Sequence, residues 1–141
     1  HESLAREKSS MNAKLPEANT SQRNFKRALE NLRRSLATPV SELRDLSGII
    51  KDFEMTYELS WKVLKKILRD GGNETLGAKD VYTKAFQLGY IGQDHVWIQM
   101  IEDRNQTAHV CDETEARAIV SRVASAYLLL FEELEFEFSG S

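Results

Sequence analysis

Apolar side chains recur at steps of three and four residues along almost the whole chain from Ser21 onward. This spacing matches the turn of an α-helix, about 3.6 residues, and gathers the apolar side chains on one face of each helix. The main competing signal is a short strand-like alternation from Leu134 to Phe138, which we interpret as helix fraying or a tail. The period therefore predicts an all-α protein.

Five helices follow from the apolar stripes and their start and stop signals. Short connections between helices favour antiparallel neighbours, so we expect an antiparallel up-and-down four-helix bundle with one extra short helix. The predicted helices cover residues 21–36, a long stretch between Ser41 and Gly71-Gly72, residues 78–88, residues 95–108, and a last stretch that Asp112 caps.

One domain accounts for the length of 141 residues. Residues 1–20 have few bulky apolar groups and no sustained period, so we expect a flexible N-terminal tail before a helical domain over residues 21–138. No apolar run approaches the roughly 18 residues that a membrane span needs, and the single cysteine, Cys111, has no internal disulfide partner. These features predict a cytoplasmic protein with no membrane partner.

The charge balance bears on nucleic acid as a partner. A net charge of −3 and a pI near 5.7 disfavour a protein that coats DNA through bulk positive charge. A local basic cleft is compatible with the same balance. We therefore expect no DNA partner, and we keep RNA or a nucleotide as an open ligand.

The densest polar stretch, residues 102–109, reads EDRNQTAH and ends the fourth predicted helix. An arginine fork binds phosphate oxygens in pairs, and an imidazole transfers protons near neutral pH. On a regular helix Asn105 and His109 share a face, about 40° apart, whereas Arg104 has to reach round. Arg104 and His109 are the candidate catalytic residues, and the candidate substrate-binding residues are Asn105, Asp103 and Trp97.

An arginine and a histidine are the minimum for cleavage of RNA without a metal. The imidazole deprotonates the ribose 2'-OH or protonates the leaving oxygen, and the guanidinium stabilises charge on the phosphorane. One histidine supplies one of these two proton transfers. The mechanism therefore predicts that a symmetric dimer brings a second copy of the site to a two-fold interface.

A plainer interpretation assigns both residues to structure. Arg104 would pair with Glu102, Asp103 or Asp112, and His109 would cap a helix end, as arginines and histidines at this spacing often do. Metal ligation by His109 and Cys111 lacks a second ligand pair, so we expect no metal and no cofactor. The aromatic stripe that includes Trp97 is more typical of a core than of a cofactor site.

Three segments carry a resemblance to a known family. They are FEMTYELSWKVLK from Phe53, AFQLGYI from Ala85, and WIQMIEDRNQTAH from Trp97, followed by Asp112 and Glu113. Together they strongly resemble the nucleotidyltransferase substrate-binding proteins, a family of the HEPN superfamily of helical bundles. The resemblance extends from about Phe25 to Leu134.

The resemblance implies a small, helical, homodimeric protein that forms a complex with a minimal nucleotidyltransferase. Related members are ribonuclease toxins with an Arg-x4-His motif in the dimer cleft, which corresponds here to Arg104 and His109, with Asn105 as a supporting polar residue. In those members the nucleotidyltransferase is the antitoxin and adenylylates a tyrosine two residues after the histidine. Here that position is Cys111, so the resemblance gives this chain no acceptor tyrosine there.

Three functions remain open at this point. The first is a partner of a minimal nucleotidyltransferase in a toxin-antitoxin-like pair, with ribonuclease chemistry at Arg104 and His109. The second is a non-catalytic substrate-binding subunit of a nucleotidyltransferase complex, in which the bundle completes a binding cleft. The third is a dimeric helical scaffold without a ligand.

Overall fold

The structure is a computed structural model that describes residues 15–92, 94–110 and 112–140, with side chains from 20–92, 95–110 and 112–138. Every regular element in these ranges is helical, which confirms the all-α prediction. The elements in order are α1 Leu15–Ala37, α2 Leu43–Asp70, α3 Ala78–Gln87, α4 Asp94–Gln106, a 3-10 turn Thr107–His109, α5 Glu113–Arg122, a π-helical turn Val123–Tyr127 and α6 Leu128–Gly140.

Helix α2 is the centre of the bundle and contacts α1, α3, α5 and α6. It begins where the Asp45 carboxylate accepts hydrogen bonds from the backbone N–H groups of Ser41 and Glu42. It ends at Gly71, and Gly72 then adopts a φ of 88°, a conformation that costs a glycine little. The apolar period predicts a buried stripe of Leu46, Ile50, Phe53, Tyr57, Ser60, Leu64 and Ile67. The structure buries all of them except Ile67, which is partly buried.

Aromatic rings fill the core between the helices. Phe53 of α2 stacks on Tyr127 with ring centroids 5.8 Å apart, and Tyr82 of α3 stacks on Trp97 of α4 at 4.5 Å. Such pairs add about 0.5–1.5 kcal/mol each beyond the area that they bury. The aromatic stripe expected to be core consists of Phe53, Tyr57, Trp61 and Trp97. The structure buries Phe53, Tyr57 and Trp97, and Trp61 is partly buried. The helical period predicts Phe86 on one apolar face of α3 with Val81, Tyr82 and Ala85, but Phe86 is 41% exposed.

The last predicted helix is one continuous rod made of α5, the π-helical turn and α6. The Asp112 carboxylate caps it and accepts a hydrogen bond from the backbone N–H of Glu115 at 2.9 Å, as the sequence predicts. Helix α6 also includes residues 134–138, so a tail there is wrong. Leu134 is buried and Phe138 packs edge-on against Phe25, and this four-residue spacing holds the segment in helical form.

Helix α1 begins at Leu15, six residues before the predicted start at Ser21. The predicted tail at residues 1–20 falls largely on residues 1–14, which lie outside the described residues.

Across the described ranges, no helix combines the length and the apolar character that crossing a membrane requires.

Candidate functional site

Arg104 lies in the last turn of α4, and its guanidinium reaches towards α2. Its Nη1 atom donates a hydrogen bond to Thr107 Oγ1 at 3.1 Å and lies 3.4 Å from Glu54 Oε2. The Thr107 hydroxyl is also hydrogen-bonded to Glu54 Oε2. The side chain of Arg104 remains 31% exposed. The Glu54 carboxylate, the Thr107 hydroxyl and the Arg104 guanidinium therefore meet at a partly exposed position on the surface.

Asp103 precedes Arg104 and lies about 100° away from it around α4. Its two carboxylate oxygens accept hydrogen bonds from Nε and Nη2 of Arg122, at 2.6 and 2.9 Å. The Tyr127 hydroxyl donates a further hydrogen bond to the same carboxylate. Burial raises the pKa of the Tyr127 phenol, and the Asp103 carboxylate raises it further. With a side chain only 12% exposed, Asp103 links α4 to the π-helical turn.

Tyr127 is the last residue of the π-helical turn, and from there its hydroxyl meets the Asp103 carboxylate. In this turn the backbone N–H of Leu128 bonds to the carbonyl of Val123, five residues earlier, so the turn holds one more residue than an α-helical turn. Single π turns inside α-helices are rare and often lie near functional sites. This one places a buried hydroxyl against the residue that precedes Arg104.

His109 and Asn105 are both exposed at the end of α4. The α-helix stops at Gln106, and residues 107–109 form a 3-10 turn, whereas the sequence predicts helix through Ala108. A 3-10 turn advances by about 120° per residue, so the 40° offset expected on a regular helix does not apply. The imidazole follows Arg104 on a separate, tighter turn.

Trp97 occupies a different position from the other candidates. It is 2% exposed and stacks on Tyr82 within the core. One edge of it lines a cleft of about 370 Å³ between residues 90–92 and α6, and neither Arg104 nor His109 is among the lining residues. The structure therefore does not bring Trp97 together with the exposed end of α4.

The field around Arg104 extends to the buried ring of Tyr57, one turn along α2 from Glu54. Burial raises the pKa of Tyr57 to about 12, and the positive charge of Arg104 opposes that rise. The positive charge of Arg104 therefore influences a buried group on the inner side of α2, although the Arg104 side chain is itself partly exposed.

The plainer interpretation from the sequence holds only in part. Arg104 does make an ion pair, but with Glu54, 50 residues earlier in the chain, rather than with Glu102, Asp103 or Asp112. Glu54 and Thr107 were missed as site residues. The available signal was the FEMTYELSWK segment that carries the family resemblance, since Glu54 is its second residue. Within the described ranges no group of three or more potential ligands for a metal is found.

The described chain is thus an all-helical bundle with a partly exposed arginine and an exposed histidine at the end of one helix. The family model described as nucleotidyltransferase substrate binding protein like matches residues 20–139. That range is most of the chain, so the chain belongs to this family.

Individual relatives agree with this assignment. The probable ribonuclease HepT of Haemophilus influenzae is 32% identical over an alignment of 83 residues, and the match covers 55% of this chain and 57% of that protein. The match thus spans little more than half of the relative's length. A solved protein of Thermus thermophilus has a TM-score of 0.72 at 29% identity, with 78% of this chain and 94% of that chain covered.

The tri-AMPylated HEPN toxin of Shewanella oneidensis, solved in complex with its MNT antitoxin, has a TM-score of 0.73. It is 17% identical, with 88% of this chain and 97% of that chain covered. At this identity the likeness shows that the two chains share a fold. The fold predicted from the sequence is thereby confirmed.

Proposed function

We propose that this protein is the helical partner of a minimal nucleotidyltransferase in a toxin-antitoxin-like pair, and that it cleaves RNA without a metal at Arg104 and His109. The observation that carries the proposal is the solvent access of both side chains at the end of α4, with Arg104 fixed in place by Glu54 and Thr107. Family membership, the name of the H. influenzae relative and the complex of the S. oneidensis toxin support it. A cytoplasmic site of action fits an RNA substrate.

The chemistry needs only groups of this chain. An imidazole takes the proton of the ribose 2'-OH, the 2'-oxygen bonds to phosphorus, and the bond to the 5'-oxygen breaks. The leaving oxygen takes a proton from a second imidazole. Arg104 binds the phosphate oxygens and stabilises the charge that develops on the phosphorane. The products are a 2',3'-cyclic phosphate and a 5'-hydroxyl.

The second imidazole comes from a second copy of the chain. Each protomer brings one His109 to this surface, and a two-fold axis would bring the other His109 to the same phosphate. The open position of the site on one protomer fits a cleft that dimerisation completes. A dimer in light scattering at micromolar concentration is the expected result, and a monomer would remove the second proton carrier.

Asn105 and Asp103 have separate roles in this proposal. Asn105 is exposed beside Arg104 and is a candidate for hydrogen bonding to the RNA. Asp103 is held by Arg122 and Tyr127, so it supports the end of α4 from the inner side rather than contacting the phosphate directly. Trp97 contributes through the core.

The test uses the purified protein with EDTA and an end-labelled RNA. We expect cleavage that leaves a 5'-hydroxyl, that stops when the RNA is replaced by DNA of the same sequence, and that falls at least about 10²-fold in His109→Ala. His95→Ala is the matched control, because His95 is likewise exposed but lies in the first turn of α4, at the other end of that helix from His109. Equal cleavage by the His109→Ala protein would contradict the proposal.

A second candidate is a non-catalytic substrate-binding subunit, which the family's own description favours. In that case the bundle binds a phosphate-bearing substrate while the nucleotidyltransferase performs the transfer. Expression with and without the neighbouring nucleotidyltransferase separates the two functions. Growth arrest that requires His109 and that the partner relieves supports the nuclease, and unchanged growth and RNA in every combination support the binding subunit.

A further inference from the structure

The guanidinium of Arg104 is held at one end only. Nη1 contacts the Thr107 hydroxyl and the Glu54 carboxylate, and that hydroxyl and carboxylate also contact each other. The Thr107 hydroxyl lies 2.6 Å from the backbone carbonyl of Arg104 as well, which ties it to the last turn of α4. Three groups from α2, α4 and the 3-10 turn thus fix the orientation of one nitrogen.

The opposite edge of the same guanidinium, formed by Nε and Nη2, is not held in this way. Among the residues that the structure describes, none accepts a hydrogen bond from Nε or Nη2 of Arg104. In Arg122 and Arg33, by contrast, both Nε and Nη2 donate hydrogen bonds to carboxylates. Arg122 binds both oxygens of Asp103 through Nε and Nη2, and Arg33 binds Glu132 and Glu135 through the same two atoms at 3.0 and 2.9 Å.

The Nε and Nη2 edge of an arginine is suited to two oxygens of one carboxylate or one phosphate. We propose that Glu54 and Thr107 are positioning residues that orient Arg104, so that this edge binds the scissile phosphate of RNA. The inference rests on the proposed function, because it assumes that Arg104 meets a phosphate. It adds Glu54 and Thr107 to the residues needed for cleavage, as groups that act through Arg104 and do not touch the RNA.

The division of labour between the two residues follows from their chemistry. An arginine side chain loses conformational entropy when it becomes ordered. If the protein already holds the side chain in place, ligand binding does not have to offset that loss. Thr107 fixes the orientation of the guanidinium, because its hydroxyl oxygen accepts a hydrogen bond from Nη1 at one defined position. Glu54 supplies charge and holds the Thr107 hydroxyl, yet at 3.4 Å and 32% exposure its pull on Arg104 is moderate. The guanidinium therefore keeps its charge and its free edge for the phosphate.

The kinetic test compares kcat and KM for RNA cleavage in wild type, Thr107→Val, Thr107→Ser and Glu54→Gln. Valine keeps the shape of threonine without its hydroxyl, and serine keeps the hydroxyl. We expect kcat to fall about tenfold or more in Thr107→Val and Glu54→Gln with KM within about threefold, because a misplaced transition-state contact costs rate. Serine should restore kcat to within about threefold of wild type.

Glu113→Gln is the matched control, since Glu113 is another half-exposed carboxylate paired with an arginine, Arg117, at 2.7 Å. Its kcat should equal that of wild type. If Thr107→Val and Glu54→Gln cleave RNA like wild type, or if Thr107→Ser is as slow as Thr107→Val, the positioning role is overturned.

A second readout keeps this inference separate from the proposed function. NMR of 15N-labelled arginine side chains reports rotation about the bond that joins Cζ and Nε. We expect slow rotation for Arg104 in wild type and fast rotation in Thr107→Val, with Arg122 slow in both. If wild type and Arg104→Ala are equally inactive on RNA, the proposed function fails. The NMR measurement of rotation still tests whether Thr107 orients Arg104. Fast rotation of Arg104 in wild type would overturn it.

Discussion

Asp103 and Arg104 are consecutive residues that lie in opposite environments. Asp103 is mostly buried, and both of its oxygens are bound by Arg122 while Tyr127 adds a third hydrogen bond. Arg104 is about one-third exposed, and one of its nitrogens is held while one edge stays open. One step of about 100° along α4 thus separates a completed polar network from an incomplete one.

The side of α4 that carries Asp103 contributes stability, and the side that carries Arg104 can receive a ligand. A buried polar group needs all of its partners inside the protein, because an unpaired one costs about 1–3 kcal/mol. A half-exposed arginine tolerates open donors, because water satisfies them until a ligand arrives. We therefore expect substitutions of Asp103 to affect folding most, and substitutions of Arg104 to affect activity most.

The largest expected effect is that of Asp103→Ala on stability. The change leaves the Tyr127 hydroxyl without its acceptor and Arg122 without its counter-charge, at a cost of about 2–3 kcal/mol in the free energy of unfolding. Urea denaturation measures it. Glu113→Ala, which breaks an exposed pair on α5, should cost about 0.5 kcal/mol or less. Equal losses in the two variants would show that the Asp103 network is no stronger than a surface ion pair.

A smaller effect is expected from Tyr127→Phe. It removes one hydrogen bond and keeps the ring that stacks on Phe53, so the loss should be about 1–2 kcal/mol. Tyr90→Phe, at a 40% exposed tyrosine, is the control and should be neutral in the same urea experiment. A neutral result for Tyr127→Phe would mean that the Arg122 pair alone satisfies Asp103.

Arg104→Ala should change stability by less than about 1 kcal/mol, because its pair with Glu54 is one-third exposed on both sides and water replaces it at little cost. The same variant should lose RNA cleavage. Circular dichroism and urea denaturation measure the first quantity, and the assay with EDTA measures the second. A stability loss as large as that of Asp103→Ala would make Arg104 a structural residue and remove the contrast.

The smallest expected effect concerns the pKa of Tyr57. Burial raises it to about 12, and Arg104 lowers it, so Arg104→Ala should move the titration to still higher pH. Because the folded protein holds this proton more tightly than the unfolded chain, Tyr57 contributes stability below about pH 10 that is lost as the pH rises towards 12. NMR titration of the Tyr57 ring carbon follows the shift. An unchanged midpoint would place the charge of Arg104 farther from α2 than the structure does.

Much of the fold follows from local pattern. The stripe that runs from Leu46 to Leu64, the Asp112 cap and the glycines after α2 and α3 each leave a signal within a few residues, because helix faces and helix ends depend on near neighbours. The π-helical turn left no such signal, since Val123 and Tyr127 have the four-residue spacing of an ordinary helix.

The polar partners of the site could not be predicted in the same way. Arg104 meets Glu54 and Asp103 meets Arg122 across helices, and the sequence offers several nearer carboxylates to pair with Arg104. Which carboxylate is chosen depends on how α2 and α5 pack around α4, and no local period encodes that packing. Arg104, His109, Asn105 and Asp103 were visible in the sequence as candidates, but Glu54 and Thr107 were not, and neither were the two environments that distinguish Asp103 from Arg104.

The most direct test of the account is to titrate the 15N-labelled protein with a non-cleavable RNA analogue that carries a 2'-deoxy sugar at the scissile position. We expect the Nε–H resonance of Arg104 to shift as the analogue binds, while that of Arg122, already bound to Asp103, stays in place. A shift at Arg122 with none at Arg104, or no shift at either arginine at saturating analogue, would contradict it.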